Sequence, residues 1–96
     1  MMKSHALVAT AAARRYMGQM CKHFGHKLPV ELTDSHGTIA FPIGTCLMEA
    51  GPEGLRLSAE AADEPSLARL QEVIASHLAR FAFREVPAIV WAPISA

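Results

Sequence analysis

Seven consecutive residues, Cys21-Lys22-His23-Phe24-Gly25-His26-Lys27, bring a thiol, two imidazoles and two ammonium groups together. Thiolate and imidazole both suit zinc or iron, so the run raises the question of a metal site. Its spacing argues against a site held by this stretch alone. At about 100° per residue, the Cys21 and His23 side chains leave a regular helix about 160° apart. His23 and His26 converge only if helical geometry continues through Gly25. A further ligand then has to come from Cys46, His36, His77 or a carboxylate. The simpler reading is a helix C-terminus whose negative end is offset by Lys22, His23 and Lys27. No resident metal and no cofactor are expected.

His77 is the second reactive group. It lies on an apolar helical stripe, where a buried imidazole needs a hydrogen-bond partner. If it meets His23, with Tyr16 on the same flank of the first helix, the two form an acid–base or ligand-binding pair between helices. Arg80 and Arg84 are four apart on one helix face; with Arg15 and Lys22 they suit a carboxylate or phosphate. The alternative is ordinary solvated helix surface. The candidate ligand-binding residues are therefore Tyr16, Cys21, His23, His26, His77, Arg80 and Arg84, and no catalytic residue is assigned. The sequence contains no GxSxG, GxGxxG, P-loop, HExxH or CxxC motif.

Two helices have to position these groups. Residues 5–9 read as a short strand, and Thr10 offers a hydroxyl N-cap to a helix starting at Ala11. Ala13, Tyr16, Met17, Met20 and Phe24 give that helix one apolar stripe. Gly25 suits a left-handed terminating residue. Leu28, Val30 and Leu32 alternate with polar neighbours, as do Ile39, Phe41 and Ile43 after the 34–37 turn. Pro42 cannot donate to a ladder and belongs at a bulge, an edge or a strand end. Residues 46–50 continue or restart that strand, and 55–61 alternate again after the 51–54 turn. A second helix, capped by Asp63 or Ser66 with Pro65 in its first turn, carries the stripe Leu67, Leu70, Val73, Ile74, Leu78 and Phe81. Pro87 stops it by Glu85, and 88–92 read as a last strand. The expected fold is α+β, a two-layer sandwich of order β-α-β-β-β-α-β, with a mostly antiparallel sheet and both helices on one face. Thr33, Thr38, Arg56, Ser58 and Glu60 fall on the other face.

The chain has 96 residues, 51% hydrophobic and 19% charged, which fits one globular domain over 1–96. Nine basic residues balance nine acidic ones, so overall charge favours neither nucleic acid nor membrane as a partner. The distribution is uneven: residues 1–30 carry net +5, 31–64 net −6 and 65–96 net +1. The basic third is expected to face the acidic middle, within the fold or in a dimer, or else an anion. Cys21 and Cys46 read as free buried thiols in a reducing cytoplasm, and no apolar run approaches a membrane span.

Several blocks carry a family resemblance: Arg15-Tyr16 with 21–27, Gly37-Thr38-Ile39-Ala40-Phe41, Leu70-Gln71-Glu72-Val73-Ile74, 77–85 beginning at His77, and Trp91. They resemble a bacterial family known as domain of unknown function 2218. The resemblance covers nearly the whole chain and implies small proteins without an established activity. A similar domain sometimes accompanies siderophore-interacting flavin reductases, which implies iron acquisition as a context. The expectation is a small cytosolic binding or accessory domain for an anionic small molecule, an iron chelate or a protein partner. A His-dependent enzyme and a structural homodimer are the alternatives.

Overall fold

Period-two alternation shapes the first strand. The structure is a computed structural model, described over residues 1–82 and 89–93. In β1 (Met2–Val8), Ser4, Ala6 and Val8 are buried while Lys3, His5 and Leu7 face solvent. The strand begins earlier than the sequence indicates. Helix α1 (Ala13–Phe24) also starts later than expected. Thr10 does not cap it: its Oγ1 accepts the Ala12 N–H at 3.1 Å, a local turn just before the helix.

After α1 come β2 (Val30–Leu32), β3 (His36–Phe41), β4 (Gly44–Gly51) and β5 (Gly54–Ala61). Residues 46–50 therefore restart as their own strand, and Pro42 sits in the turn between β3 and β4, a strand end as its missing N–H requires. The chain thus follows the expected order, with four strands rather than three between the helices. Thr33 lies in the turn before β3, where its backbone N–H donates to the His36 carbonyl at 2.8 Å. Helix α2 (Glu64–Phe81) is capped by Asp63, whose carboxylate accepts the Ser66 N–H at 2.8 Å. That bond holds the Asp63 carboxyl below its usual range. The expected stop at Glu85 and Pro87 lies outside the described residues. The last strand, β6 (Ala92–Pro93), is shorter than expected. Ile89 and Trp91 precede it and pack against the core.

The six strands form one antiparallel sheet in the order β2-β3-β4-β5-β1-β6. Its inner face supplies Ile39, Cys46, Met48, Leu55, Leu57, Ala59 and Ala61 to the core. Met17 and Met20 of α1 and Leu70, Ile74 and Leu78 of α2 cover it and are fully buried. Helix α1 lies over β2 to β5, α2 over β1, β4 and β5, and the helices touch each other. The outer face is polar, with Lys3–Glu60 at 3.5 Å and His36–Glu49 at 3.1 Å. Its exposed leucines, Leu7 and Leu47, are isolated among charged and hydroxylated neighbours.

Cys21 and Cys46 are free and buried. Burial pushes the Cys46 thiol up to about 12, with a smaller contribution from the neighbouring Cys21, and burial raises Cys21 as well. The folded chain thus keeps a proton that the unfolded chain releases near pH 8.5. Stability from the protonated Cys46 is complete below that pH and is lost as pH climbs towards 12. One proton corresponds to about 1.4 kcal/mol per pH unit. Urea melts of wild type and Cys46→Ala under reductant at pH 8, 9.5 and 11 should show the wild type losing stability faster by about that slope. Parallel curves would show that Cys46 is not sealed in the core.

Candidate functional site

The chain leaves α1 without breaking its helical course. Gly25 is right-handed (φ −62°, ψ −15°), not left-handed as expected. Its N–H bonds to the Cys21 carbonyl at 2.8 Å, and Lys27 and Leu28 N–H both reach the Phe24 carbonyl, at 3.1 and 2.9 Å. A Cβ at position 25 would sit 2.8 Å from the Cys21 oxygen. Glycine is needed here for close approach rather than for its φ. The backbone keeps turning past the end of α1, and His26 lines the same pocket as His23.

Helix α2 brings the opposing imidazole. His77 is half-buried, and its Nδ1 lies 2.7 Å from the carbonyl oxygen of Val73, one turn earlier. A carbonyl only accepts, so Nδ1 carries the hydrogen. Nε2 of the neutral ring is then a bare lone pair. The His23 and His77 ring centres are 5.2 Å apart, tilted by 44°. Phe24 is the hub of the cluster: it meets His23 at 4.9 Å, His77 at 4.8 Å and Phe41 of β3 at 4.9 Å. Phe81 closes on His23 at 5.8 Å. Edge-to-face pairs of this kind contribute roughly 0.5–1.5 kcal/mol each beyond simple burial.

Beside this cluster is an open pocket of about 470 Å³, lined by His23, Phe24, His26, Lys27, Leu28, Phe41 and Val73. Among the described residues its ionisable side chains are two imidazoles and an ammonium, with no Asp or Glu. Of the N-terminal cations, Lys3 meets Glu60. Arg14, Arg15, Lys22 and Lys27 form no ion pair among the described residues. The basic third therefore meets the acidic middle through one ion pair, and much of its remaining charge stays at the surface of α1 and the turn after it. A larger depression, about 630 Å³, lies at the other end of α1 among Ala11, Ala12, Ala13, Arg14, Arg15, Ala50, Gly51 and Pro52. It has cations but neither aromatic walls nor an imidazole among the described residues, so the histidine pocket is the better chemical site.

The structure brings together His23, His26 and His77 among the residues selected from sequence. His77 braces the wall formed by Phe24 and His23 and does not itself line the pocket. Tyr16 is buried in the core two helical turns before His23, about 10 Å along the axis; its ring carries the Arg15 guanidinium at 5.3 Å. Cys21 is buried and borders a separate groove with Gly18, Lys22, Gly25, His26, Leu28, Val30 and Leu32. Arg80 is exposed and forms no ion pair among the described residues, while Arg84 lies outside the described residues. Among the described residues, no three His, Cys, Asp or Glu side chains gather around one point. Leu28, Phe41 and Val73 also wall the pocket, and nothing in their types or spacing marks them for it. Phe41 and Val73 stand in apolar periodic segments that read only as core.

A two-layer α+β domain, with an aromatic-walled basic pocket where the first helix ends against the second, is the class these features define. The chain belongs to the DUF2218 family, described as an uncharacterized protein conserved in bacteria, whose profile matches residues 5–92. It is similar to the NMR structure of PA4090 from Pseudomonas aeruginosa, with 41% identity over 100% of both chains and a TM-score of 0.83. Comparison with curated proteins returns no match. No helix among the described residues is long and apolar enough to cross a membrane.

Proposed function

We propose that this domain is a binding or accessory module that holds an anionic small molecule in the pocket at the end of α1. The observation that carries the reading is the lining: His23, His26 and Lys27 stand over apolar walls, with no carboxylate among the described residues there. Such a site combines an apolar body with a few convergent polar groups, the usual make-up of ligand pockets. An anionic iron chelate is the first ligand to test, since a similar domain sometimes accompanies siderophore-interacting reductases, and the cytoplasm is the proposed compartment. In a thermal-shift screen of ferric chelates, phosphorylated metabolites and organic acids, a ligand at about 100 times its Kd should add about 2.7 kcal/mol. The shift should shrink in His23→Ala, whose exposed ring leaves the core intact. A screen in which no anion raises the melting temperature overturns the reading.

One observation favours a second reading. The Nδ1 bond to Val73 leaves Nε2 of the neutral His77 ring as a lone pair, as a general base requires, and His77 would act on a pocket ligand through His23, which lines the pocket with its ring centre 5.2 Å away. In an enzyme of this kind, His77→Gln would abolish turnover of a bound ligand while leaving its affinity within a few-fold. In a binding module there is no turnover to lose.

A further inference from the structure

The pocket walls say more about the ligand than its charge. Phe24 and Phe41 meet edge-to-face, 4.9 Å apart at 70°, and both are only half-buried. His23 stands edge-on to Phe24 at 83°. Each ring has one side engaged in this herringbone, and both phenyl groups also line the pocket. Leu28 and Val73 complete the apolar surface, while His26 and Lys27 are exposed at its margin. Aromatic rings prefer offset or edge-to-face neighbours, with their negative faces meeting positive edges. A flat ring entering here continues an array that the protein has already begun. An aliphatic body of the same size gains burial alone.

Resting on the anion-binding reading above, we infer that the pocket selects planar aromatic carboxylates: the ring packs against Phe24 and Phe41, and the carboxylate meets Lys27 and His26. The volume of about 470 Å³ leaves room for a fused bicyclic acid. His77 acts from behind as a positioning residue. Its ring lies 4.8 Å from Phe24 and its Nδ1 is tied to Val73, so it fixes the angle of the wall.

The test is a set of NMR titrations of the whole chain with four probes: 2-naphthoate, benzoate, cyclohexanecarboxylate and naphthalene-2-carboxamide. The two aromatic acids should move the amide signals of Phe24, Leu28, Phe41 and Val73. 2-Naphthoate should bind at least tenfold more tightly than cyclohexanecarboxylate, which has the charge without the ring, and than the carboxamide, which has the ring without the charge. Lys27→Gln, an exposed change that leaves the fold intact, should weaken 2-naphthoate about tenfold and leave the carboxamide unchanged. Equal binding of aromatic and aliphatic acids at these signals overturns aromatic selection while the anion-binding module stands. Carboxamide binding as tight as 2-naphthoate overturns the carboxylate requirement. Silence of the pocket signals to all four probes overturns aromatic selection, and the broader reading then rests on the chelate and phosphate arms of the thermal screen.

Discussion

Gly54→Ala should cost about 3–5 kcal/mol, a large share of the ~5–15 kcal/mol expected for a domain of this size. Gly54 opens β5 with φ at +139°, a conformation that residues with a Cβ rarely adopt. An added Cβ would also overlap the Val8 carbonyl oxygen and lie 3.0 Å from the Ala9 Cα. Neither obstacle can yield easily. Val8 is paired with Leu55 in the β1–β5 ladder, so relief means parting the two strands that tie the N-terminus into the sheet. Gly51, at the other side of the same turn, is the control: a Cβ there meets nothing within 4 Å, and Gly51→Ala should change stability by less than about 0.5 kcal/mol. Denaturant melts of the two variants check this. A loss below 1 kcal/mol for Gly54→Ala would contradict the tight β1–β5 crossing.

Leu70→Ala should cost about 3–4 kcal/mol, the usual range for a fully buried leucine whose neighbours cannot collapse into the space. Leu70 has no exposed surface and belongs to the layer of α2 that covers the sheet. Its Cδ2 lies 3.0 Å from where a side chain on Gly44 would begin. The side chain thus fills the hollow left over that glycine, and the β4–β5 backbone beneath is held by a continuous ladder from Gly44↔Ala61 to Gly51↔Gly54. Collapse of the cavity is therefore limited. Leu7→Ala, on the open face, should cost well under 1 kcal/mol by comparison. Urea melts with slopes unchanged from wild type would give both values; similar costs for the two leucines would contradict the assignment of the inner and outer faces.

Much of the fold is legible in the sequence because its signals are local. Period-two alternation marks β2, β3 and β5; Pro42 marks a strand end because it has no N–H to give the ladder; Asp63 and Pro65 mark the start of α2. Other features depend on partners remote in the chain. Nothing local says that β1 lies between β5 and β6, and Thr10 could cap a helix or close a turn with the same hydroxyl. Gly25 could end a helix by its φ or permit close packing by its missing side chain.

The site divides along the same line. His23 and His77 each sit at the edge of an apolar stripe, so two helices laid side by side over one sheet bring them together, 5.2 Å apart. Tyr16 shares its angular position on α1 with His23, yet helical angle says nothing of depth along the axis, and two turns carry it into the core. Phe41 reaches the pocket from a strand, by way of the packing of α1 on β3. Only the assembled layers show that relation.

The claim on which the functional account rests is that ligands enter at the end of α1. A backbone amide shift map with whichever anion gives the largest thermal shift tests it directly. The account predicts that the strongest changes fall on His23, Phe24, Lys27, Leu28, Phe41 and Val73, with the His77 ring responding through Phe24. Changes centred instead on Ala11 to Arg15 and on Ala50 to Pro52, the depression at the opposite end of the helix, would contradict it.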